Sequence, residues 1–263
     1  MKKLIVLLFT ACCFVCTAQE SKLFAVKINT VTVDCDRFVG YDAFGFLYFI
    51  KDDVFHKVKD GISLEYKNQS LGKISRVDLQ NPLKIVLFYE NFNTLVALDN
   101  QLNETQKVSF SDNRDPIVAA AAGLASQNRF WIYNSLTQQI GLFDYLNNSF
   151  KAITPPFSEN IKYYETDFNY FQWIDEKLNR YACDAFGKIT SYGKTVAFNH
   201  IQLPSTDKVL FSNEGQLHLY DYKKDKKYTI ENIDKSYQSF FCKDQILSIF
   251  TNQQITNYKI ITP

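Results

Sequence analysis

Side chains that usually carry catalysis are scarce in this chain of 263 residues, which contains three histidines and one methionine. No Gly-rich phosphate loop, no His-Glu-x-x-His motif and no Gly-x-Ser-x-Gly elbow occurs in it. His56, His200 and His218 are far apart in sequence, whereas a metal site needs several converging donors. The sequence therefore predicts no catalytic residue, no metal site and no cofactor.

Cysteine is scarce outside the N-terminus. Three of the six cysteines lie within the first 18 residues, and the other three are scattered and include no Cys-x-x-Cys pair. This spacing fits neither a zinc site nor the disulfide framework of a small secreted domain. The remaining 245 residues bury enough surface to fold without cross-links. We expect Cys35, Cys183 and Cys242 to be free thiols.

Glycine and proline are also scarce, with nine and six residues, and no Ser/Gly-rich linker divides the chain. A single domain is therefore expected. Aromatic residues, in contrast, make up 16% of the sequence, with 23 phenylalanines and 16 tyrosines. Enrichment in aromatic residues favours β-sheet.

The N-terminus has the features of an export signal. Two lysines precede an apolar run over residues 4–15, and small residues end at Ala18. The run has 12 residues, fewer than the roughly 20 that span a bilayer as a helix. We predict a signal peptide over residues 1–18 and a mature domain over residues 19–263, in the periplasm or outside the cell. A buried N-terminal helix is the alternative, although no amphipathic period supports it.

A lipoprotein signal that ends at Cys12 is a further alternative. Ala11 and Thr10 precede this cysteine, but Phe9 stands where leucine is usual. A single acyl chain anchors a protein only weakly. An outer-membrane lipoprotein therefore stays open beside simple export.

Charge argues against a nucleic-acid partner. Removing residues 1–18 takes away two lysines and no acidic residue, which leaves a net charge of −1. Binding to phosphates needs a concentrated basic surface, and the longest basic cluster, residues 223–227, is interrupted by an aspartate. No other stretch resembles a transmembrane segment.

A repeat of about 40 residues decides the predicted fold. Five segments share an alternating apolar strand, a turn that begins with aspartate, and a second short strand. The separations between successive turn aspartates are 39, 45, 40 and 37 residues. Aspartate suits this position because its carboxylate accepts backbone N–H bonds that the ending strand leaves unpaired. The five aspartates are Asp60, Asp99, Asp144, Asp184 and Asp221.

Two further apolar runs precede each of these turns, so each unit has four short strands, as in the blade of a β-propeller. The run of alanines at residues 119–122 suits an inner strand, where blades converge on the axis. The last unit lacks one strand, and residues 23–28 supply a spare one. We predict an all-β propeller of six four-stranded blades that is closed by pairing of this N-terminal strand with the last blade. Counts of five or seven blades are the alternatives.

One segment carries a family resemblance. Residues 41–48 read Tyr-Asp-Ala-Phe-Gly-Phe-Leu-Tyr and are similar to the Asp-x-x-Gly-x-Leu-Tyr hairpin of bacterial extracytoplasmic six-bladed propellers of the NHL-repeat type. Residues 184–189 repeat the pattern loosely at a different strand junction. The resemblance concerns architecture, and it implies either a lyase or hydrolase or a plain binding scaffold.

Candidate binding residues follow from the longest predicted loop, residues 154–168. It concentrates Phe157, Tyr163 and Tyr164, and aromatic residues with arginine dominate binding hot spots. A neighbouring connection on the same predicted face adds Arg114 and Asp115. The alternative is that the aromatic rings only cap the blades.

Acidic residues offer a weaker candidate site. Asp52, Asp115 and Asp175 could line one mouth of the channel, with His200 on an inner strand nearby. Ordinary turn residues are the simpler interpretation, because aspartate is common in turns.

Two functions remain open. The first is a non-enzymatic propeller of the cell envelope that binds a protein or a glycan, with another envelope or outer-membrane protein as its partner, as a monomer or as a subunit of a hetero-complex. The second is a hydrolase or lyase with its site in the channel mouth. An enzyme would need two or more titratable groups within hydrogen-bond reach in the axial pocket.

Overall fold

The computed structural model describes residues 21–113 and 116–261. These residues form strands and two short 3-10 turns, Glu90–Phe92 and Phe110–Asp112. The strands in chain order are β1 (Ser21–Thr32), β2 (Arg37–Tyr41), β3 (Leu47–Lys51), β4 (Val54–Lys59), β5 (Ile62–Tyr66), β6 (Arg76–Asp78), β7 (Ile85–Tyr89), β8 (Thr94–Leu98), β9 (Glu104–Ser109), β10 (Ala119–Leu124), β11 (Arg129–Asn134), β12 (Gln139–Asp144), β13 (Ser149–Ala152), β14 (Ile161–Thr166), β15 (Tyr170–Asp175), β16 (Asn179–Asp184), β17 (Ile189–Lys194), β18 (His200–Ser205), β19 (Lys208–Asn213), β20 (Gln216–Asp221), β21 (Lys226–Glu231), β22 (Ser239–Lys243), β23 (Ile246–Phe250) and β24 (Gln254–Ile260).

The first four sheets are antiparallel meanders of four strands each. We name them sheet I (β2–β5), sheet II (β6–β9), sheet III (β10–β13) and sheet IV (β14–β17). Sheet V has eight strands in the order β18-β19-β20-β21-β1-β24-β23-β22. Four-stranded sheets were expected from the repeat, and the eight-stranded sheet was not.

Strand β1 is the reason for the large sheet. Its second part, Ala25 to Thr32, pairs antiparallel with β24, which is the pairing expected for the N-terminal strand. Its first part, Ser21 to Phe24, pairs parallel with β21. One long strand therefore joins the group β18–β21 to the group β22–β24, a connection that the repeat pattern does not reveal.

The first strands of sheets I to IV, together with β18 and β22 of sheet V, face a common axis. β14 contacts β10 on one side and β18 on the other, β18 contacts β22, and β22 contacts β2. β10 also contacts β7 of sheet II. The Arg37 guanidinium of β2 closes the circle by donating to the carbonyls of Ile74 and Ser75, directly before β6, at 3.0 Å each. Sheets in this circular arrangement form a β-propeller.

The hydrophobic core lies between neighbouring sheets. Phe88, Phe110 and Phe130 pack in the cluster between sheets II and III, and the two tryptophans, Trp131 and Trp173, pack between sheets III and IV. Each sheet is therefore covered on both faces, which explains strands such as β7 and β8 in which every residue is buried.

The turn aspartates behave as the sequence predicts, with one exception. One carboxylate oxygen of Asp99, Asp144, Asp184 and Asp221 accepts two backbone N–H bonds of its own turn. Asp60 instead has a positive φ of 48° and is followed by Gly61 at 82°. Positive φ at both central residues fits the two-residue turn between β4 and β5, for which Asp-Gly is a favoured pair.

The predicted loop over residues 154–168 is wrong in its second half. Ile161–Thr166 forms β14, an inner strand that pairs with β15 and faces the axis. Its side chains read Ile-Lys-Tyr-Tyr-Glu-Thr and lack apolar alternation, because one side of the strand meets the channel rather than a core. Ala119–Leu124 does form an inner strand, as the alanine run predicted. Among the described residues, no helix is long and apolar enough to cross a bilayer.

Candidate functional site

A cavity of about 920 Å³ runs along the axis of the propeller. Side chains from β2, β6, β14, β18 and β22 line it, whereas β10 contributes none of the described lining residues. Its size is within the range of small-molecule sites, roughly 300–1,000 Å³. The channel is therefore large enough to hold a ligand.

An ion pair crosses the channel wall. Nη2 of Arg76 on β6 lies 2.8 Å from Oε2 of Glu165 on β14. The hydroxyl of Tyr163 donates to the other oxygen of Glu165, and the Arg76 guanidinium lies 4.2 Å from the ring centre of Tyr164. About a quarter of each charged side chain stays accessible, 25% for Arg76 and 26% for Glu165. Because both residues line the channel, this accessible surface faces its interior.

The protonation of this group follows from its surroundings. Burial alone would lower the pKa of Arg76, but Glu165, the two tyrosines and Asp78 together raise it above its usual value. Burial first, and Glu165 second, hold the pKa of Tyr163 well above its usual value. At neutral pH, Arg76 is therefore charged and Tyr163 is a hydrogen-bond donor.

Asp78 ties three inner strands together. Its Oδ2 accepts the backbone N–H of Leu124 on β10 at 2.8 Å and the hydroxyl of Thr166 on β14 at 3.3 Å. Its Oδ1 accepts the N–H of Gln80 at 2.9 Å. Burial raises the pKa of this carboxyl, and the hydrogen bonds and Arg76 oppose that rise. Arg76 and Asp78 are two residues apart on one strand and therefore project to the same side.

Small residues on β10 allow sheets II and IV to meet across sheet III. A Cβ at Gly123 would lie 2.0 Å from Oγ1 of Thr166, so only glycine permits this approach of β10 to β14. The alanines before Gly123 leave room on the same strand. This local sequence is what lets Arg76 reach Glu165, 89 residues away.

The other half of the channel is held by an amide pair. Gln202 on β18 donates to the carbonyl of Cys242 on β22 at 3.0 Å and accepts the N–H of Cys242 at 2.8 Å. Between β22 and β2 the contact is aromatic, with the rings of Phe241 and Phe38 edge to face at 6.3 Å. The channel wall is therefore fixed by specific contacts around its circumference.

The lining has nearly balanced charge and one unpaired acceptor. The described lining residues include four basic and five acidic side chains. Oε1 of Gln80 is buried and has no hydrogen-bond partner among the described residues. A buried acceptor without a partner costs about 1–3 kcal/mol.

The predicted binding residues separate into three groups. Arg114 and Asp115 lie outside the described residues. Phe157 packs between the rings of Tyr133 and Trp173, with centre-to-centre distances of 5.9 and 4.8 Å. This is the capping role that was the alternative for the aromatic residues.

Tyr163 and Tyr164 do lie at the axis, on a strand and not in the expected loop. Tyr163 lines the channel. The Tyr164 hydroxyl accepts the N–H of Ala122 at 3.2 Å and lies 3.3 Å from its carbonyl oxygen.

The described members of the weaker acidic candidate, Asp52, Asp175 and His200, do not line the channel. Asp175 accepts two bonds from Asn179, at 2.7 and 3.0 Å, and is a buried turn residue. Asp52 is exposed in the turn between β3 and β4. His200 begins β18 and is also exposed. None of these three residues lines the channel, and the described part of the chain contains no cluster of three metal-ligating side chains.

Sequence reasoning missed Arg37, Arg76, Asp78 and Glu165. The signal that could have found two of them is the spacing of Arg76 and Asp78 within residues 73–79, one of the two apolar runs that precede the turn at Asp99. Charged residues two positions apart share one face of a strand. On an inner strand, the face that carries charged residues borders the channel. Glu165 could not be found in this way because its strand was read as a loop.

Comparison with known proteins supports the fold. No protein-family model matches the sequence, and no curated protein matches it either. Solved structures do match. A catalytically inactive variant of virginiamycin B lyase from Staphylococcus aureus with quinupristin has a TM-score of 0.56 at 12% identity, covering 93% of this chain and 97% of that one.

Two further matches are propeller domains. The Cps50 (Swd1) β-propeller domain of Myceliophteria thermophila has a TM-score of 0.59 at 10% identity, covering 90% of this chain and all of that one. The WD40 β-propeller domain of Doa1 has a TM-score of 0.58 at 13% identity, covering 91% and 92%. The chain is a β-propeller. Identities this low show the fold alone, and the propellers matched include an enzyme as well as WD40 domains.

Proposed function

We propose that the protein is an exported, non-enzymatic propeller of six blades that binds a neutral oligosaccharide in its axial channel. The observation that carries this proposal is the channel wall, where fixed donors and acceptors stand beside aromatic rings. A sugar presents hydroxyl groups that donate and accept, and its C–H faces pack on aromatic rings.

The blade count rests on how sheet V is built. Its edges, β18 and β22, contact each other at the axis. The group β18–β21 and the group β22–β24 with β1 then each supply four strands. One core cluster lies between these two groups, as clusters lie between the other sheets. Counted in this way, sheet V is two blades bridged by β1, and the ring has six.

Charge favours a neutral ligand over an ionic one. Four basic and five acidic lining residues nearly cancel. Tyr163, Phe240 and Phe241 supply ring surface along the wall. A ligand of many hydroxyl groups satisfies such a wall better than a phosphate or an amine.

The ionisable residues of the channel favour ligand binding over catalytic turnover. The inactive lyase variant carries alanine in place of a histidine, and no histidine is among the described residues that line this channel. Glu165 is already engaged by both Arg76 and Tyr163. A general base needs an accessible acceptor beside the proton that it removes, and these contacts occupy the carboxylate.

Location in the cell envelope is part of the proposal. It is supported by the lysines, the apolar run and the small residues of the first 18 positions, and by the resemblance of residues 41–48 to extracytoplasmic propellers of the NHL-repeat type. The partner is another envelope or outer-membrane protein that carries or presents the glycan, with the propeller as a monomer or as a subunit of a complex.

A glycan array followed by titration calorimetry tests the proposed function. We expect Tyr163→Phe and Glu165→Gln to weaken binding of the selected oligosaccharide by at least about tenfold, which is 1.4 kcal/mol. Tyr170→Phe is the matched control, because Tyr170 is exposed at the start of β15, and it should bind as the unmodified protein does. Binding that is the same in all variants would place the glycan outside the channel.

A further inference from the structure

The turns at one end of the propeller expose five large apolar side chains. In each meander, the turn after the first strand and the turn after the third strand emerge at the same end. We call the end formed by these turns the turn face, and its exposed apolar side chains are Phe44, Leu83, Leu146, Phe168 and Phe186. They belong to sheets I to IV only. The turns of sheet V at this end, residues 206–207, 222–225 and 244–245, carry no exposed apolar side chain, and the exposed Ile261 follows β24 at this end.

Phe186 is the most exposed of these side chains, at 94%. Its turn is nevertheless fixed. Asp184 Oδ1 accepts the N–H groups of Phe186 and Lys188 at 2.9 and 3.0 Å. A Cβ at Gly187 would lie 2.2 Å from the carbonyl oxygen of Ile153, so the turn rests directly on sheet III. The ring is therefore held in water by a rigid support, which costs free energy unless another molecule covers it.

A cleft of about 690 Å³ lies beside this ring, between sheets III and IV. Its wall includes Arg129, Lys151, Ile153 and Phe186, and no acidic side chain is among its described lining residues. Arg129 donates to the carbonyl of Ser126 at 3.1 Å and is held in place. Lys151 has no ion-pair partner in the described ranges 21–113 and 116–261.

We infer that this cleft binds an acidic segment of another protein, with an apolar side chain of that segment packed against Phe186 and its carboxylates beside Lys151 and Arg129. Arg129 lies opposite Asp144 in the pairing of β11 with β12, so Lys151 supplies the charge that no acid offsets. A cation of this kind attracts carboxylates, and the apolar ring gives the contact its buried centre. The inference is independent of the glycan proposal, since the cleft lies on the turn face and shares no described lining residue with the channel.

Nuclear magnetic resonance with a defined probe tests the inference. The ¹⁵N-labelled protein starting at Gln19 is titrated with an amidated peptide Glu-Asp-Phe-Asp-Glu, with a basic peptide Lys-Lys-Phe-Lys-Lys, and with vesicles of phosphatidylglycerol. We expect the acidic peptide to shift resonances of residues 126–129, 151–153 and 185–188, and the basic peptide to shift none of them.

Variants identify the contacts. Lys151→Glu and Phe186→Ala should each weaken binding of the acidic peptide by about tenfold or more. The matched controls are Lys235→Glu and Leu136→Ala, both exposed and both in connections at the opposite end, and these should leave it unchanged. Glu165→Gln should also leave it unchanged, which separates this test from that of the channel.

Three outcomes would overturn the inference. The first is an absence of shifts at the cleft with the acidic peptide. The second is equal binding of the acidic and basic peptides, or binding unchanged in Lys151→Glu. The third is a response of the same resonances to vesicles and not to peptide, which would make the turn face a membrane surface.

Discussion

At the scale of single residues, β10 and β14 approach each other closely at the axis because β10 carries a glycine and alanines in place of larger side chains. Gly123 admits Thr166, and Thr166 in turn donates to Asp78. The alanine-rich strand β10 is thus a spacer that brings charged residues of sheets II and IV together. We therefore expect substitution of one small residue of β10 to disturb all of these contacts.

Gly123→Ala tests this spacing. The added Cβ would lie 2.0 Å from Oγ1 and 2.8 Å from Cβ of Thr166, and overpacking of this kind costs about 1–3 kcal/mol. Thr166→Gly removes both atoms, so the two substitutions together should cost less than the sum of their separate costs. Urea unfolding of the four proteins measures the coupling. Additive costs would mean that β10 and β14 do not touch at this point.

Burial also sets the reactivity of the three thiols. It raises the pKa of Cys35 to about 11 and the pKa values of Cys183 and Cys242 to about 12, from an ordinary 9.0. A rise of two or more units lowers the thiolate fraction by about a hundredfold or more, and the thiolate is the reactive form. All three cysteines are free in the structure.

Thiol titration at pH 8 should therefore differ sharply between folded and unfolded protein. Starting from Gln19, the denatured and unreduced chain should show three reactive groups, and the folded chain should react far more slowly at each. Fully buried Cys183 should be slowest. One reactive group in the denatured chain would reveal a disulfide and contradict the strand arrangement.

Some residue-level features could be predicted from the sequence and others could not. The turn aspartates were predictable because their bonds are local, two to four residues along the chain. The pair Arg76–Glu165 was not, because its partners are 89 residues apart and meet only when the ring is closed. A contact between residues so far apart in the sequence leaves no local sequence pattern.

At the scale of elements, β1 links the two parts of sheet V. It pairs with β21 through Ser21 to Phe24 and with β24 through Ala25 to Thr32. The sequence predicted the second pairing, because the last repeat lacked a strand. It did not predict the first, because length alone does not show that one strand can serve two neighbours.

Two substitutions on β1 distinguish its buried face from its exposed face. Leu23 is 5% exposed and Phe24 is 61% exposed. Leu23→Ser should lower the free energy of unfolding by about 3 kcal/mol, since it removes a buried side chain and leaves a cavity. Phe24→Ser should cost less than about 1 kcal/mol. Guanidinium unfolding measures both. Equal costs would show that Leu23 does not pack as described.

Strand β14 is the element that the hydrophobic pattern of the sequence failed to predict. An inner strand has a channel on one side, so its polar residues carry no sign of burial and resemble those of a loop. The fold was nevertheless predictable as a propeller, because the other strands carry the repeat. The site was not, because its side chains lie on the strands with the weakest pattern.

At the scale of the whole molecule, export is expected from the N-terminal sequence. Intact mass of the protein produced in its native host should correspond to a chain that begins at Gln19. A mass that retains residues 1–18 would contradict cleavage, and a diacylglycerol adduct at Cys12 would support the lipoprotein alternative. The measurement does not depend on any ligand.

Binding without turnover in the axial channel is the central claim about the whole molecule. It is tested most directly by incubating the selected oligosaccharide with an equal amount of protein and recovering the sugar for mass spectrometry. We expect the sugar to be retained by the protein, to be released on denaturation with its mass unchanged, and not to be retained by Glu165→Gln. Recovery of a cleaved or unsaturated product that needs Glu165 would contradict the claim and identify an enzyme.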